Sequence, residues 1–201
     1  METIELSGII GMAAVGILTL NFVMGMMLST AYKRSWYWKA LPEKIKKANI
    51  TELHNYTAYI ALGLVVIHAI IIPLDPASGF KFIDLFMPLN ARHQPNIVLI
   101  GAIAFIALFI AVLTSQKLIK KKLGFRLWKN IHLISYCTTV IAVIHGVLMD
   151  PLLKDRPTDW IDAEKVYIQL CGLLAIVASI LRYRYHLHTV KSKEILITQE
   201  D

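Results

Sequence analysis

Four histidines, His54, His68, His132 and His145, sit inside strongly apolar segments. An ionisable ring is costly there and marks a place where chemistry is expected. They come as two pairs, His54 and His68 fourteen residues apart, His132 and His145 thirteen apart. On a helix, fourteen residues return to within about 40° of the same face and rise about 21 Å. Thirteen rise about 19–20 Å and leave the second ring about 140° from the first. A straight helix therefore puts His145 off-register with His132. A π- or 3₁₀-type irregularity, a strong tilt or ligation from different azimuths must reconcile the pair. Thr138 and Thr139 lie between them and are candidates to bond i−4 carbonyls and bend the helix.

Two imidazoles at each of two depths suit haem iron, which takes two axial nitrogens while its macrocycle fills the apolar gap between helices. Two such haems, stacked ~20 Å apart, would relay electrons across most of a bilayer. With both axial positions taken by protein, the expected chemistry is electron transfer rather than oxygen activation. A zinc site would need its ligands clustered within a few Å, and the spacing speaks against one. A proton relay would want carboxylates, and the span interiors contain none. Cys137 and Cys171 have neither CxxC nor CxxCH spacing, so covalent haem attachment is not expected. They read as small buried hydrophobes.

The elements that must position these rings follow from the composition. The chain has 201 residues, 56% hydrophobic and 17% charged, and a mean hydropathy of +0.57. The apolar residues fall in five runs, roughly 7–31, 51–74, 95–115, 130–150 and 163–183. Each approaches or exceeds the ~20 residues that cross a bilayer as a helix. The expectation is an all-α membrane protein, a five-transmembrane-helix bundle. The first run follows METIELSG, acidic rather than basic, and no small-residue cleavage site ends it, so it reads as a retained helix.

The net charge of +7 is topology information rather than a nucleic-acid footprint. Sixteen Lys and Arg fall on one side: Lys33, Arg34, Lys39, Lys44, Lys46, Lys47, Lys117, Lys120, Lys121, Lys122, Arg126, Lys129, Arg182, Arg184, Lys191 and Lys193. Only Lys81, Arg92, Lys154, Arg156 and Lys165 fall on the other, among Asp75, Asp84, Asp150, Asp155, Asp159 and Asp162. The positive-inside rule then predicts the N-terminus outside and the C-terminus in the cytoplasm. Trp36, Trp38, Trp128 and Trp160 near the span ends read as an aromatic belt. His54 and His132 become level near the inner face, His68 and His145 near the outer.

The segments ELHNYTAYIALGLVVIHAIIIPLD and LGFRLWKNIHLISYCTTVIAVIHGVLMD carry a further signal. Their His-x13-His and His-x12-His spacings, with one span between them, resemble the ferric reductase-like transmembrane domain superfamily. That group includes ferric reductases, the membrane part of NADPH oxidases and the haem-binding subunit of the bacterial methionine sulfoxide reductase system. The resemblance covers about residues 5–185. It implies two b-type haems, with His54 and His132 the axial pair of the inner one and His68 and His145 of the outer. It implies transmembrane electron transfer from a cytoplasmic flavoprotein or quinol to an acceptor at the outer face. Many members have six spans where this chain has five. No glycine-rich nucleotide loop appears, so a flavin would come from a partner or a missing domain. The tail after Tyr183 leaves two alternatives open, a natively short chain or a membrane-domain fragment.

On this reading residues 1–185 form the di-haem domain and 186–201 a short polar cytoplasmic tail, in what would be a bacterial cytoplasmic membrane. Arg126, Lys129, Arg34 and Arg182 are candidates to pair with inner-haem propionates. The outer loop from Asp75 to Pro95 is long enough for a lid or docking surface. Phe82, Ile83, Leu85, Phe86 and Met87 look interfacial, and Arg92 and His93 are candidates for an acceptor site. His186 and His188 receive no ligand role. Two rival readings are a quinol-oxidising haem anchor for a periplasmic reductase and a haem-free transporter or assembly protein.

Overall fold

A computed structural model describes residues 3–150 and 157–197. Among them there is no strand. The chain runs as α1 (Thr3–Leu28), α2 (Trp36–Ala40), α3 (Glu43–Lys46), α4 (Ile50–Leu74), α5 (Pro95–Thr114), α6 (Lys117–His132), α7 (Ile134–Leu148) and α8 (Ala163–Ile197). Five helical segments are long and apolar enough to cross a bilayer: Thr3–Leu28, Ile50–Leu74, Pro95–Thr114, Lys117–Leu148 and Ala163–Thr189. Their outer faces carry exposed Tyr56, Ile60, Ile106, Phe109, Leu174 and Ile180, which water would not tolerate together. The chain is an integral membrane protein.

Local chemistry sets the helix ends. Asn49 caps α4 by accepting the Glu52 N–H at 3.3 Å. Pro95 opens α5 at a position where no N–H is needed, and Gln94 before it takes the left-handed conformation (φ 47°) that turns the preceding loop into the helix. The loop between α4 and α5 holds three 3₁₀ turns, Pro76–Ser78, Phe82–Leu85 and Pro88–Asn90. Helix α1 is the hub. It packs on α4, α8 and α7, while α5 packs chiefly on α7. Ala61 is completely buried between Leu18 and Leu108, where α1, α4 and α5 meet. A small residue there lets the backbones approach, which in lipid replaces a hydrophobic driving force. Helices α4 and α7, which carry the histidines, pack mainly on α1 and α5 rather than on one another.

Several expectations need correction. The stretch 117–129, which separates the apolar runs 95–115 and 130–150, is helical. Its first seven residues form a basic segment that ends where Gly124 adopts φ 73°, ψ 161°, and the helix resumes at Phe125. Helix α8 holds the expected span and continues beyond it to Ile197. Trp38 is buried edge-on against Tyr32, with ring centres 4.8 Å apart, and Trp128 stacks on His132. Trp128 is half-buried and Trp160 exposed. Cys171 is buried but Cys137 is exposed, because its helix face looks outward. Lys154, Asp155 and Arg156 and the side chains of Trp36, Lys191 and Lys193 lie outside the described residues.

Candidate functional site

The histidine rings are held from α1 and α5. His54 Nδ1 lies 3.0 Å from the Asn21 carbonyl. His68 Nδ1 lies 2.8 Å from the Ser7 carbonyl and 2.9 Å from the Ser7 hydroxyl, which itself donates to the His68 carbonyl. His145 Nδ1 lies 2.8 Å from the Ile97 carbonyl. A carbonyl can only accept, so Nδ1 carries the proton in these three rings and Nε2 keeps its lone pair. His132 Nδ1 instead reaches the Ser115 hydroxyl at 3.4 Å. That hydroxyl spends its own proton on the Ala111 carbonyl at 2.7 Å, so it accepts from His132 and the outcome at Nε2 is the same.

Glycines let three rings come this close. A Cβ on Gly25 would stand 3.2 Å from His54 Cε1, one on Gly11 3.0 Å from His68 Cε1, and one on Gly101 2.6 Å from His145 Cε1. The arrangement is periodic. Ser7 and Asn21, like Gly11 and Gly25, are fourteen residues apart, the interval that separates His54 from His68 on antiparallel α4. The Asn21 side chain adds donors to the His54 carbonyl and to Thr57 Oγ1, the latter at 2.8 Å. None of these partners was singled out from sequence. The glycine spacing, matched to the histidine spacing, was the signal available.

His54 and His132 meet as a pair. The His54 and His132 ring centres are 6.2 Å apart with planes at 79°. His68 and His145 lie within electrostatic reach of one another. The off-register spacing of the second helix is partly relieved by a break. The helix breaks at Leu133, where Tyr136 N–H bonds the Leu133 carbonyl three residues back and Ser135 Oγ bonds the His132 carbonyl at 2.7 Å. A 3₁₀-type turn advances about 120° per residue instead of 100°, which closes part of the offset. Thr138 does bond the Ile134 carbonyl at 3.2 Å, but the break lies a turn earlier than the threonines.

Among the described residues no three His, Cys, Asp or Glu side chains come together. His54 and His132 stand as two rings side by side, each with Nδ1 turned to a neighbouring oxygen. Arg126, Lys129 and Arg34 are exposed. Arg182 is half-buried, and its Nε is buried without a hydrogen-bond partner. Arg92 and His93 come together over the left-handed Gly79 turn (φ 67°), with Arg92 Cδ 3.2 Å and His93 Nε2 3.9 Å from where a glycine Cβ would stand. Phe82, Ile83, Phe86 and Met87 are exposed on the same loop and Leu85 is half-buried. His186 and His188 lie exposed on the far end of α8.

A family model for the ferric reductase-like transmembrane component matches residues 10–143, about two thirds of the chain. The chain belongs to this family. The match takes in α4, α5 and α6, with His54, His68 and His132, and ends two residues before His145. No curated protein matches the chain. Ferric reductase-like transmembrane domains generally bind haem, and membership suggests electron transfer across the membrane.

Proposed function

We propose that this ferric reductase-like chain carries electrons across the membrane through two bis-histidine b-type haems. His54 and His132 hold the inner one, and His68 and His145 the outer. The observation that carries the reading is the His54–His132 pair. A metal–imidazole bond of about 2 Å, extended by ~1.1 Å to each ring centre, separates two rings on opposite sides of one metal by about 6.3 Å. The rings here are 6.2 Å apart. Each imidazole presents Nε2 with its lone pair because Nδ1 is engaged elsewhere. The unpartnered Arg182 Nε suits a propionate of the inner haem, and Arg126 and Lys129 are nearer the water for the same task.

When bound, the haems supply reversible one-electron chemistry. The chain's own residues do the rest. Helices α1 and α5 fix His54, His68 and His145 in one tautomer, and the two depths, ~21 Å apart along α4, span most of the bilayer. The charge distribution supports an outside N-terminus and a cytoplasmic C-terminus. Residues 1–185 act as the electron-carrying domain, in a bacterial cytoplasmic membrane. Electrons enter at the inner face from a cytoplasmic flavoprotein or quinol, and any flavin belongs to that partner. They leave to an acceptor at the outer face, where Arg92 and His93 on the Gly79 turn form the docking edge.

The absorption spectrum of the purified protein is the test. Two haems per chain and a sharp reduced α-band are expected; a protein with no Soret band would end the proposal. Reduction by quinol, set against reduction by NAD(P)H plus a flavoprotein, then separates an outward-delivering reductase from a quinol-oxidising anchor of a periplasmic enzyme.

A further inference from the structure

Three of the four imidazoles share one arrangement. Each donates to a main-chain carbonyl and lies against the glycine four residues later: Ser7 and Gly11 for His68, Asn21 and Gly25 for His54, Ile97 and Gly101 for His145. On α5 the same unit would recur fourteen residues after Ile97, at Ala111 and residue 115. There it fails. Residue 115 is serine, and its hydroxyl occupies the Ala111 carbonyl at 2.7 Å, with the Thr114 hydroxyl a further 3.4 Å donor. His132 is left with a hydroxyl at 3.4 Å, beyond the usual range for a firm hydrogen bond.

Something else holds this ring. Trp128 stands one helical turn earlier on α6, on the same face. Its indole stacks on the His132 imidazole with centres 5.1 Å apart and planes at 21°. Its Nε1–H donates to the same Ser115 hydroxyl at 3.3 Å. Lys120 Nζ lies 3.6 Å from the indole ring centre, an attraction of cation for ring face. The assembly runs from a basic helix at the membrane's edge to the His54–His132 pair.

We infer that Trp128 is the positioning residue of His132, its indole and its bond to Ser115 replacing the carbonyl-and-glycine unit that holds the other three rings. This rests on the proposed haem ligation. A carbonyl partner strengthens an imidazole as a donor to metal, and His132 has no such partner. Its ring plane depends on the stack instead, so disturbing Trp128 changes one haem and leaves the other alone.

The experiment uses the full chain with both haems, in detergent, and compares wild type with Trp128→Leu and Trp128→Phe. Low-spin EPR signals report the relative planes of axial imidazoles, and redox titration of the α-band reports the two midpoints. Trp128→Leu is expected to move one of the two signals and one of the two midpoints. Trp128→Phe, which keeps a stacking face but loses the N–H, is expected to move the same pair by less. Both haems unchanged in Trp128→Leu, or both shifted alike, overturns the inference. If Trp128→Leu fails to assemble, an unchanged Trp128→Phe overturns it. A wild-type protein lacking low-spin haem overturns the underlying reading as well, which separates the two failures.

Discussion

Gly101 on α5 stands so close to His145 on α7 that a Cβ there would lie 2.6 Å from the ring's Cε1 and 2.8 Å from its Nδ1. Real side chains do not accept such distances, so Gly101→Ala must push the ring or the helix away. At Gly11 and Gly25 the corresponding distances are 3.0 and 3.2 Å, which the neighbour can absorb by small shifts. The expected order of damage is Gly101→Ala, then Gly11→Ala, then Gly25→Ala. The first should cost about 1–3 kcal/mol, as overpacking does, and should lower haem per chain. Equal haem content and equal melting temperature in all three variants would contradict this ranking.

The two ligand pairs should be separable by deletion. His54→Ala and His132→Ala should each remove the same haem, and His68→Ala and His145→Ala the other. Haem content per chain should fall to about half in every case, since each iron in this arrangement needs two protein nitrogens. Optical spectra of the four variants should sort into two matching pairs. A different sorting would reassign the axial partners.

The membrane spans were legible because the bilayer imposes a length. The runs read as 51–74 and 95–115 are Ile50–Leu74 and Pro95–Thr114, their starts marked by Asn49 and Pro95. The stretch from Lys117 to Lys129 is helical although its lysines hide the apolar pattern, and Gly124, at φ 73° and ψ 161°, interrupts the helix. That His54 stands level with His132 could be read because side-chain type and depth along the spans carry it. The carbonyls of Ser7, Asn21 and Ile97 could not, since a main-chain acceptor has no side-chain signature. Nor could the break at Leu133, whose backbone stays near helical values (φ −63°, ψ −19°) and differs only in its hydrogen bonds.

Because the three carbonyl partners are main-chain groups, side-chain truncation at those sites should spare the tautomer. Asn21→Ala keeps the carbonyl that receives His54 Nδ1. It removes two donated bonds, to the His54 carbonyl and Thr57 Oγ1, in a buried position. The expected result is two haems with unchanged spectra but a loss of about 1–2 kcal/mol of stability. Thermal release of haem in detergent measures it. Loss of one haem at ambient temperature would show that the side chain, not the backbone, holds the ligand.

Arg182 offers a test of the inner propionate contact. Its buried Nε lacks a partner among the described residues, an arrangement that costs free energy unless a bound acceptor satisfies it. If the proposed contact exists, Arg182→Gln removes a positive charge from beside the inner haem, which favours the oxidised form. One midpoint should fall, by on the order of 60 mV if about 1.4 kcal/mol of charge-assisted bonding is lost. Redox titration checks it. Two unmoved midpoints would place the guanidinium away from both haems.

Lys165 provides the complementary test at the outer pair. It is buried near the start of α8, and its Nζ donates to the Gly146 carbonyl at 3.0 Å and to the Met149 carbonyl. These are among the last carbonyls of α7, which lack helical partners of their own, and a cation also complements the negative end of the helix dipole. Gly146 follows His145 directly, so the ammonium fixes the end of the helix that carries this ligand. Lys165→Met keeps the aliphatic stem but removes both bonds and the charge. Stability should fall by about 2–3 kcal/mol, and the midpoint of the haem lost in His145→Ala should be the one that drops. Trp128→Leu, acting at the other pair, should move the other midpoint. If both substitutions shift the same haem, the division into an inner and an outer site fails, whatever the haem count.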